Sequence, residues 1–103
     1  MNWSKYHAKK CEIDGIKFAS KMEGARYVEL KLLEQAGEIK DLKLQVSYPI
    51  IVNGYKICKY IADFVYKENG KIIVEDKKGV LTPAFRLKQK LMRAVHNIEI
   101  RIT

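Results

Sequence analysis

The stretch "KIIVEDKKGVLTP", residues 71–83, decides how this chain is read. Ile72, Ile73 and Val74 have the β-branched character of a buried strand, yet the run continues directly into Glu75-Asp76-Lys77-Lys78 before Gly79. A carboxylate buried alone at the end of an apolar strand is costly, so it requires a cation, a metal or water as its partner. Side chains alternate along a strand, which puts Asp76 with Lys78 on one face and Glu75 with Lys77 on the other.

The flanking segments give that strand its setting. Upstream, "EIKDLKLQVSYPI" (38–50) and "YKICKYIADFVYK" (55–67) read as extended runs, separated by Asn53-Gly54, and Asn69-Gly70 leads into the quoted stretch. Three consecutive strands joined by such turns make an antiparallel meander. Before them, Ser20 and Glu23 have capping-box spacing and Gly37 suits a C-terminal stop, predicting a helix over 20–36. "CEIDGIKFA" (11–19) alternates around Asp14-Gly15 and predicts a small hairpin. After the strand, Thr82 suits a cap and Pro83 a first helical turn, so "AFRLKQKLMRAVH" (84–96) reads as a second helix, with "IEIRIT" (98–103) as a short final strand. The order helix, three strands, helix, strand predicts an α/β or α+β domain with a mixed sheet flanked by helices, because the second helix permits a parallel crossover.

At 103 residues and 48% hydrophobic content, with no linker, repeat or low-complexity tract, the chain reads as one folded domain, 1–103. Twenty Lys and Arg against twelve Asp and Glu leave a formal charge of +8. That excess is the footprint of a polyanion binder, which points to nucleic acid as partner, with solubility the plainer use of the same charge. Cys11 and Cys58 follow no metal-ligand spacing and read as small apolar fillers with reduced thiols; His7 and His96 stand apart and read as structural or surface residues. The opening "MNWSKYHAKK" has no apolar run suited to a signal peptide or membrane span, so a cytoplasmic protein without membrane association is expected.

Asp63 lies in "KYIADFVYK" between Ile61-Ala62 and Phe64-Val65, with no local polar neighbour. In a meander its strand pairs with the next one, so Asp63 and the carboxylates at 75 and 76 can lie side by side. Paired carboxylates repel unless a cation separates them, and a hard divalent metal is the common solution, making Asp63 and Asp76, with Glu75, the candidate ligands. A lysine sharing the acid's face can orient an attacking water or stabilise charge developing on a phosphate.

Asp63 followed by Asp76-Lys77-Lys78 and Gly79, with a glutamate on the preceding helix, resembles the PD-(D/E)XK nuclease superfamily. More narrowly, "DGIKFASKMEGARYVELKLLEQAGEIKDLKLQ", "YIADFVY" and "EDKKG" look like a family of small phage-encoded, Holliday-junction-resolvase-like endonucleases. The resemblance covers most of the chain. It implies a restriction-endonuclease-like core and a Mg²⁺-dependent endodeoxyribonuclease, Mn²⁺ being an alternative metal, that hydrolyses phosphodiesters in branched DNA. A homodimer and the host-cell cytoplasm are implied with it.

Two site assignments remain open at this level. The acid–lysine pair is Asp76 with Lys78, favoured by Gly79 because the similar families carry glycine after the lysine, or Glu75 with Lys77 on the opposite face. Lys77 occupies a middle position that is usually apolar in those families. The helix acid is Glu23 by resemblance, since "SKME" matches a small residue, two spacers and a glutamate. By periodicity it is Glu29, which shares a stripe with Met22, Ala25, Leu33 and Ala36. On the second helix Arg86, Lys90 and Arg93 follow one basic face suited to phosphates, opposite a core-facing stripe of Ala84, Leu87, Leu91 and Val95. Lys77 is a further DNA contact, and Lys88, inside the apolar arc, either snorkels outward or reaches the site. Trp3, Tyr6 and Tyr48 suit a core, an interface or base stacking. The competing reading is a catalytically silent nucleic-acid-binding module on the same fold.

Overall fold

A computed structural model describes residues 10–103; His7, Trp3 and Tyr6 lie outside the described residues. Its elements are β1 (Cys11–Ile13), β2 (Ile16–Phe18), α1 (Lys21–Gln35), β3 (Lys40–Val52), β4 (Tyr55–Glu68), β5 (Lys71–Asp76), α2 (Pro83–His96) and β6 (Arg101–Ile102). This is the mixed α+β order the sequence predicts. Asp14-Gly15, Asn53-Gly54 and Asn69-Gly70 place both residues of each pair at positive φ (54° and 76°, 52° and 82°, 53° and 76°). That is the backbone a two-residue type I′ turn demands, and Asn, Asp and Gly reach it at least cost.

β1 and β2 form a separate hairpin, while the main sheet runs β3-β4-β5-β6. Its first three strands are antiparallel, and β6 joins parallel to β5 after the α2 crossover, with Glu75 opposite Arg101 and Asp76 opposite Ile102. β5 pairs only with Phe64–Glu68. The β3–β4 ribbon therefore outruns it, and β4 from Tyr55 to Ala62 has a second edge with no strand on it among the described residues.

Two cores flank the sheet. Phe64 and Tyr66 of β4 pack with Ile73 beneath Tyr27 and Leu30 of α1. Tyr60 and Ala62 of the same strand instead join Phe85 and Met92 of α2, together with Val65 and Val74. Even-numbered residues before Asp63 thus share a core with odd-numbered ones after it, so the alternation of sides slips by one at Asp63. The slip coincides with Gln45, whose φ of 53° falls between the Leu44–Phe64 and Val46–Ala62 pairs. A non-glycine residue in that left-handed region carries roughly 1–2 kcal/mol of strain, which the two cores on either side must hold in place.

The helix faces differ from the periodicity reading. α1 buries Gly24, Tyr27 and Leu30, while Met22 is 48% exposed and the Glu29 side chain 64% exposed. The apolar residues of α1 are scattered around it, so the stripe through Glu29 faces outward and the packed face is set by Tyr27. On α2 the buried residues are Phe85 and Met92, whereas Leu87 is 60% exposed. The packed face is rotated by about one residue from the Ala84–Leu87–Leu91–Val95 stripe, with Phe85 and Met92 seated among Tyr60, Val65, Val74 and Ile100 and Leu91 partly buried against them. The rotation leaves Arg86, Lys90 and Arg93 exposed, as expected, and carries Lys88 to a half-buried position.

Gly24 is where the small hairpin seats on α1. A Cβ added there would stand 2.5 Å from Cys11 Sγ and 2.9 Å from Ile13 Cδ1. Gly24→Ala should therefore lower stability by about 1–3 kcal/mol through overpacking, despite the better helix propensity of alanine. A chemical denaturation curve checks this; a variant more stable than the parent would show that the hairpin is not held there.

Candidate functional site

The site forms where β5 ends. Continuing the register of Phe64 against Glu75 sets Asp63 beside Asp76, and the Lys77 backbone N–H donates to Asp63 Oδ2 at 3.0 Å. Asp76 is 2% exposed. Tyr60 O–H donates to its Oδ2 at 2.6 Å, and Lys78 Nζ lies 3.5 Å from the same oxygen. Lys78 is also steadied from α2, with Nζ 4.5 Å from the centre of the Phe85 ring. β6 fastens the strand end from its other edge: Thr103 N–H donates to the Asp76 carbonyl at 3.0 Å, and Lys78 N–H to the Thr103 carbonyl at 3.3 Å.

Burial, reinforced by the adjoining Asp76 carboxyl, pushes Asp63 up to about 8, against the downward pull of the Lys77 N–H. Burial also raises the Glu23 carboxyl, with the charge of Asp76 acting in the same direction and that of Lys78 opposing it. Glu23 therefore feels the same cluster from the first turn of α1. There Ser20 caps the helix, its Oγ accepting from Glu23 N–H at 3.1 Å. Among the described residues the Glu23 carboxylate makes no return bond to Ser20, so the capping box is half-made and the carboxylate is left for the cluster.

Glu75 has a different employment. It is fully buried and faces α1, where Arg26 Nε and Nη2 donate to its two oxygens at 2.6 and 2.9 Å, with further bonds from Tyr66 O–H and from Thr103 Oγ1 at 3.1 Å. Burial pushes its carboxyl up, but the Arg26 and Tyr66 hydrogen bonds outweigh that and hold it below the usual carboxylate range. With its oxygens so committed, Glu75 is a structural anchor for β5 rather than a partner of Asp63. Lys77 is half-buried. Glu29 is not drawn in either: it is exposed and 3.7 Å from Arg26 Nη1. The structure thus brings Asp63, Asp76 and Lys78 together, leaves Glu23 near enough to feel the charges of Asp76 and Lys78, and commits Glu75 and Glu29 to Arg26.

Beside Asp76 opens a cavity of about 360 Å³ walled by Lys59, Tyr60 and Ile61 of β4, by Lys78, and by Phe85 and Lys88 of α2. Lys88 therefore reaches the site. Lys90 and Arg93 line a separate hollow with Glu99, whose Oε1 is 3.4 Å from Arg93 Nη1. Sequence reasoning passed over Tyr60, Phe85 and Arg26. The available signal was that each buried acid needs a donor, which says that such residues exist without saying which they are.

Asp63 gives the stability of the fold a pH dependence. Its folded value is raised, so the folded state holds a proton that the unfolded chain releases above about pH 4. The stabilisation is complete below that pH and is lost as pH rises toward 8. Asp63→Asn, which mimics the protonated form, should flatten this dependence and raise Tm at pH 8 by about 4–8 °C, equivalent to at least about 1 kcal/mol. Thermal melts in EDTA between pH 5 and 8 check it; a variant less stable than the parent at pH 8 overturns it.

The donor set suits a hard divalent cation: carboxylate oxygens, two of them pressed together at the cost of a raised pKa. Among the described residues, no three His, Cys, Asp or Glu side chains are gathered into a finished cage. Asp63 and Asp76 are the adjoining pair, and Glu23 stands outside them. Among the described residues no helix is long and apolar enough to cross a membrane.

No curated protein and no solved structure matches the chain. Residues 3–103 match the family described as "Protein of unknown function (DUF1064)", and the chain belongs to that family.

Proposed function

We propose that the protein is a divalent-metal-dependent endonuclease of the PD-(D/E)XK kind that hydrolyses DNA phosphodiesters. The observation that carries this reading is the grouping of Asp63, Asp76 and Lys78 at one strand end, with Glu23 electrostatically coupled to them. The element order of helix, three strands, helix and strand supports it, as does the formal charge of +8.

Asp63 and Asp76 would hold the metal, with Glu23 as the supporting carboxylate; Mg²⁺ fits the all-oxygen donor set and Mn²⁺ is an alternative. When bound, the metal supplies Lewis-acid charge for the phosphate and lowers the pKa of a water. The chain's own residues do the rest. Tyr60 fixes one Asp76 oxygen and leaves the other to the site. Lys78, held between Asp76 and the Phe85 ring, presents an ammonium where a water is oriented or where negative charge grows on the phosphate. Glu75, Arg26 and β6 keep the strand end from moving.

The test is cleavage of labelled linear duplex, single-stranded, flap and four-way-junction DNA in Mg²⁺ or Mn²⁺, with EDTA as control. Metal-dependent cutting is the expected result, and preference for the four-way junction would support branched DNA as substrate. Salt-sensitive binding without cutting of any substrate would replace this reading with that of a silent nucleic-acid-binding module.

A further inference from the structure

We infer that the cavity beside Asp76 seats the substrate's backbone next to the bond that is cut, with Lys59 of β4 and Lys88 of α2 gripping the neighbouring phosphate. The inference rests on the nuclease reading and adds to it which side of the site the strand occupies. The cavity is formed beside the catalytic cluster by two elements that share a core: the stretch of β4 that has outrun β5, and the N-terminal half of α2.

The charges in this cavity are not shared alike. Lys78 leans on Asp76. Lys59 and Lys88 have no carboxylate partner among the described residues, although both line the same hollow. Two ammonium groups that line one hollow from different elements give it a positive potential, which favours an anion between or beside them. The acids at 63 and 76 disfavour that anion within their own cluster. It is therefore placed one step along the backbone, on the Lys59 and Lys88 side of the hollow and away from the Asp76 that also lines it.

The size of the hollow argues for more than an isolated phosphate. About 360 Å³ is within the range of pockets that enclose a small organic ligand. Ile61, 43% exposed, and Phe85 contribute apolar surface to the same hollow. A sugar–phosphate unit has that mixture: an anionic diester for Lys59 and Lys88, and a less polar sugar for the apolar surface. The other basic face of α2 lacks this arrangement, since Arg93 there is engaged by Glu99.

The assignment is tested by binding of a fluorescein-labelled DNA duplex in EDTA, or in Ca²⁺ to add a metal, across a KCl series. The parent is compared with Lys59→Gln/Lys88→Gln, Lys59→Arg/Lys88→Arg and, at the exposed start of β5 outside the cavity lining, Lys71→Gln. The Gln pair should make the slope of log affinity against log salt shallower by about one per lysine. The Arg pair should restore the slope, which a folding defect would not allow, and Lys71→Gln should leave binding less affected. In Mg²⁺, a methylphosphonate that neutralises the phosphate adjacent to the cleavage point should slow the parent but not the Gln pair further. An unchanged slope for the Gln pair, or a parent that binds no DNA in either buffer, overturns the assignment. If the slope falls as expected yet the parent cuts nothing, the phosphate seat stands and the nuclease reading fails; if the parent cuts and the Gln pair binds and cuts equally well, the reverse holds.

Discussion

Asp76→Asn is expected to lower metal-dependent cleavage by at least about 10³-fold while leaving the protein folded. Asn retains an oxygen able to accept the Tyr60 hydroxyl, now 2.6 Å from Asp76 Oδ2, so the local hydrogen bond survives. What is lost is the carboxylate that would hold the metal against Asp63. Metal-assisted hydrolysis draws several kcal/mol of transition-state stabilisation from the cation, and each 1.36 kcal/mol corresponds to about tenfold in rate. Lys78→Gln should cost less, about 10²–10³-fold, the scale seen when one preorganised donor to a developing charge is removed. Glu29→Gln should cut like the parent, since Glu29 is exposed and lies against Arg26. Single-turnover rates in Mg²⁺, with Tm recorded for each variant, check the series. Cutting by Asp76→Asn at the parental rate would sink the proposed mechanism, and DNA affinity in EDTA should if anything increase as a repelling acid disappears.

The parts of the fold that were legible in the sequence are those governed by neighbours in the chain. Asn53-Gly54 and Asn69-Gly70 announce their turns because few other residues accept positive φ at both positions. Ser20 and Thr82 announce their helices because a hydroxyl accepts a first-turn N–H, as each does here at 3.1 Å. Asp63 and Asp76 stood out as acids in apolar runs, and strand pairing brought them together. The helix faces were less legible. In α1 the apolar residues do not form one stripe, and which side packs was decided by Tyr27 meeting Phe18 from the hairpin, ring centroids 5.2 Å apart. The slip at Asp63 was also hidden: nothing in "LKLQVSY" marks Gln45 as left-handed, because that conformation is imposed by two cores pulling opposite faces of one ribbon inward. The choice between the Asp76 and Glu75 registers was a question about Arg26, 49 residues distant from Glu75, and spacing within the triplet holds no information on it.

Arg26→Ala is expected to destabilise the protein by about 3–5 kcal/mol, more than Gly24→Ala. Glu75 is fully buried, and the bidentate bond from Arg26 is its main compensation for leaving water. Removing the guanidinium leaves Tyr66 and Thr103 as donors to a charge in a low-dielectric core, which is the costly way to break a buried pair. At about 4–8 °C per kcal/mol for a domain of this size, Tm should fall by more than about 12 °C. The pH dependence separates this from simple loss of packing. In the parent the folded Glu75 value lies below the ordinary one, so its stabilisation is present above about pH 4.3, the unfolded value, and is lost as pH falls through the folded value. In Arg26→Ala burial acts with less opposition, the carboxyl rises, and the stability difference between parent and variant should shrink on acidification. Arg26→Met with Glu75→Leu should recover most of the loss, because an apolar pair removes the uncompensated charge. Such a double variant, if stable but slow to cleave, would separate two roles of the anchor: its contribution to the fold and its positioning of Asp76, the next residue along β5. If Arg26→Ala melts within a few degrees of the parent, Glu75 is not held by Arg26 in solution, and the assignment of the site to Asp76 and Lys78 in place of Glu75 and Lys77 loses its physical basis.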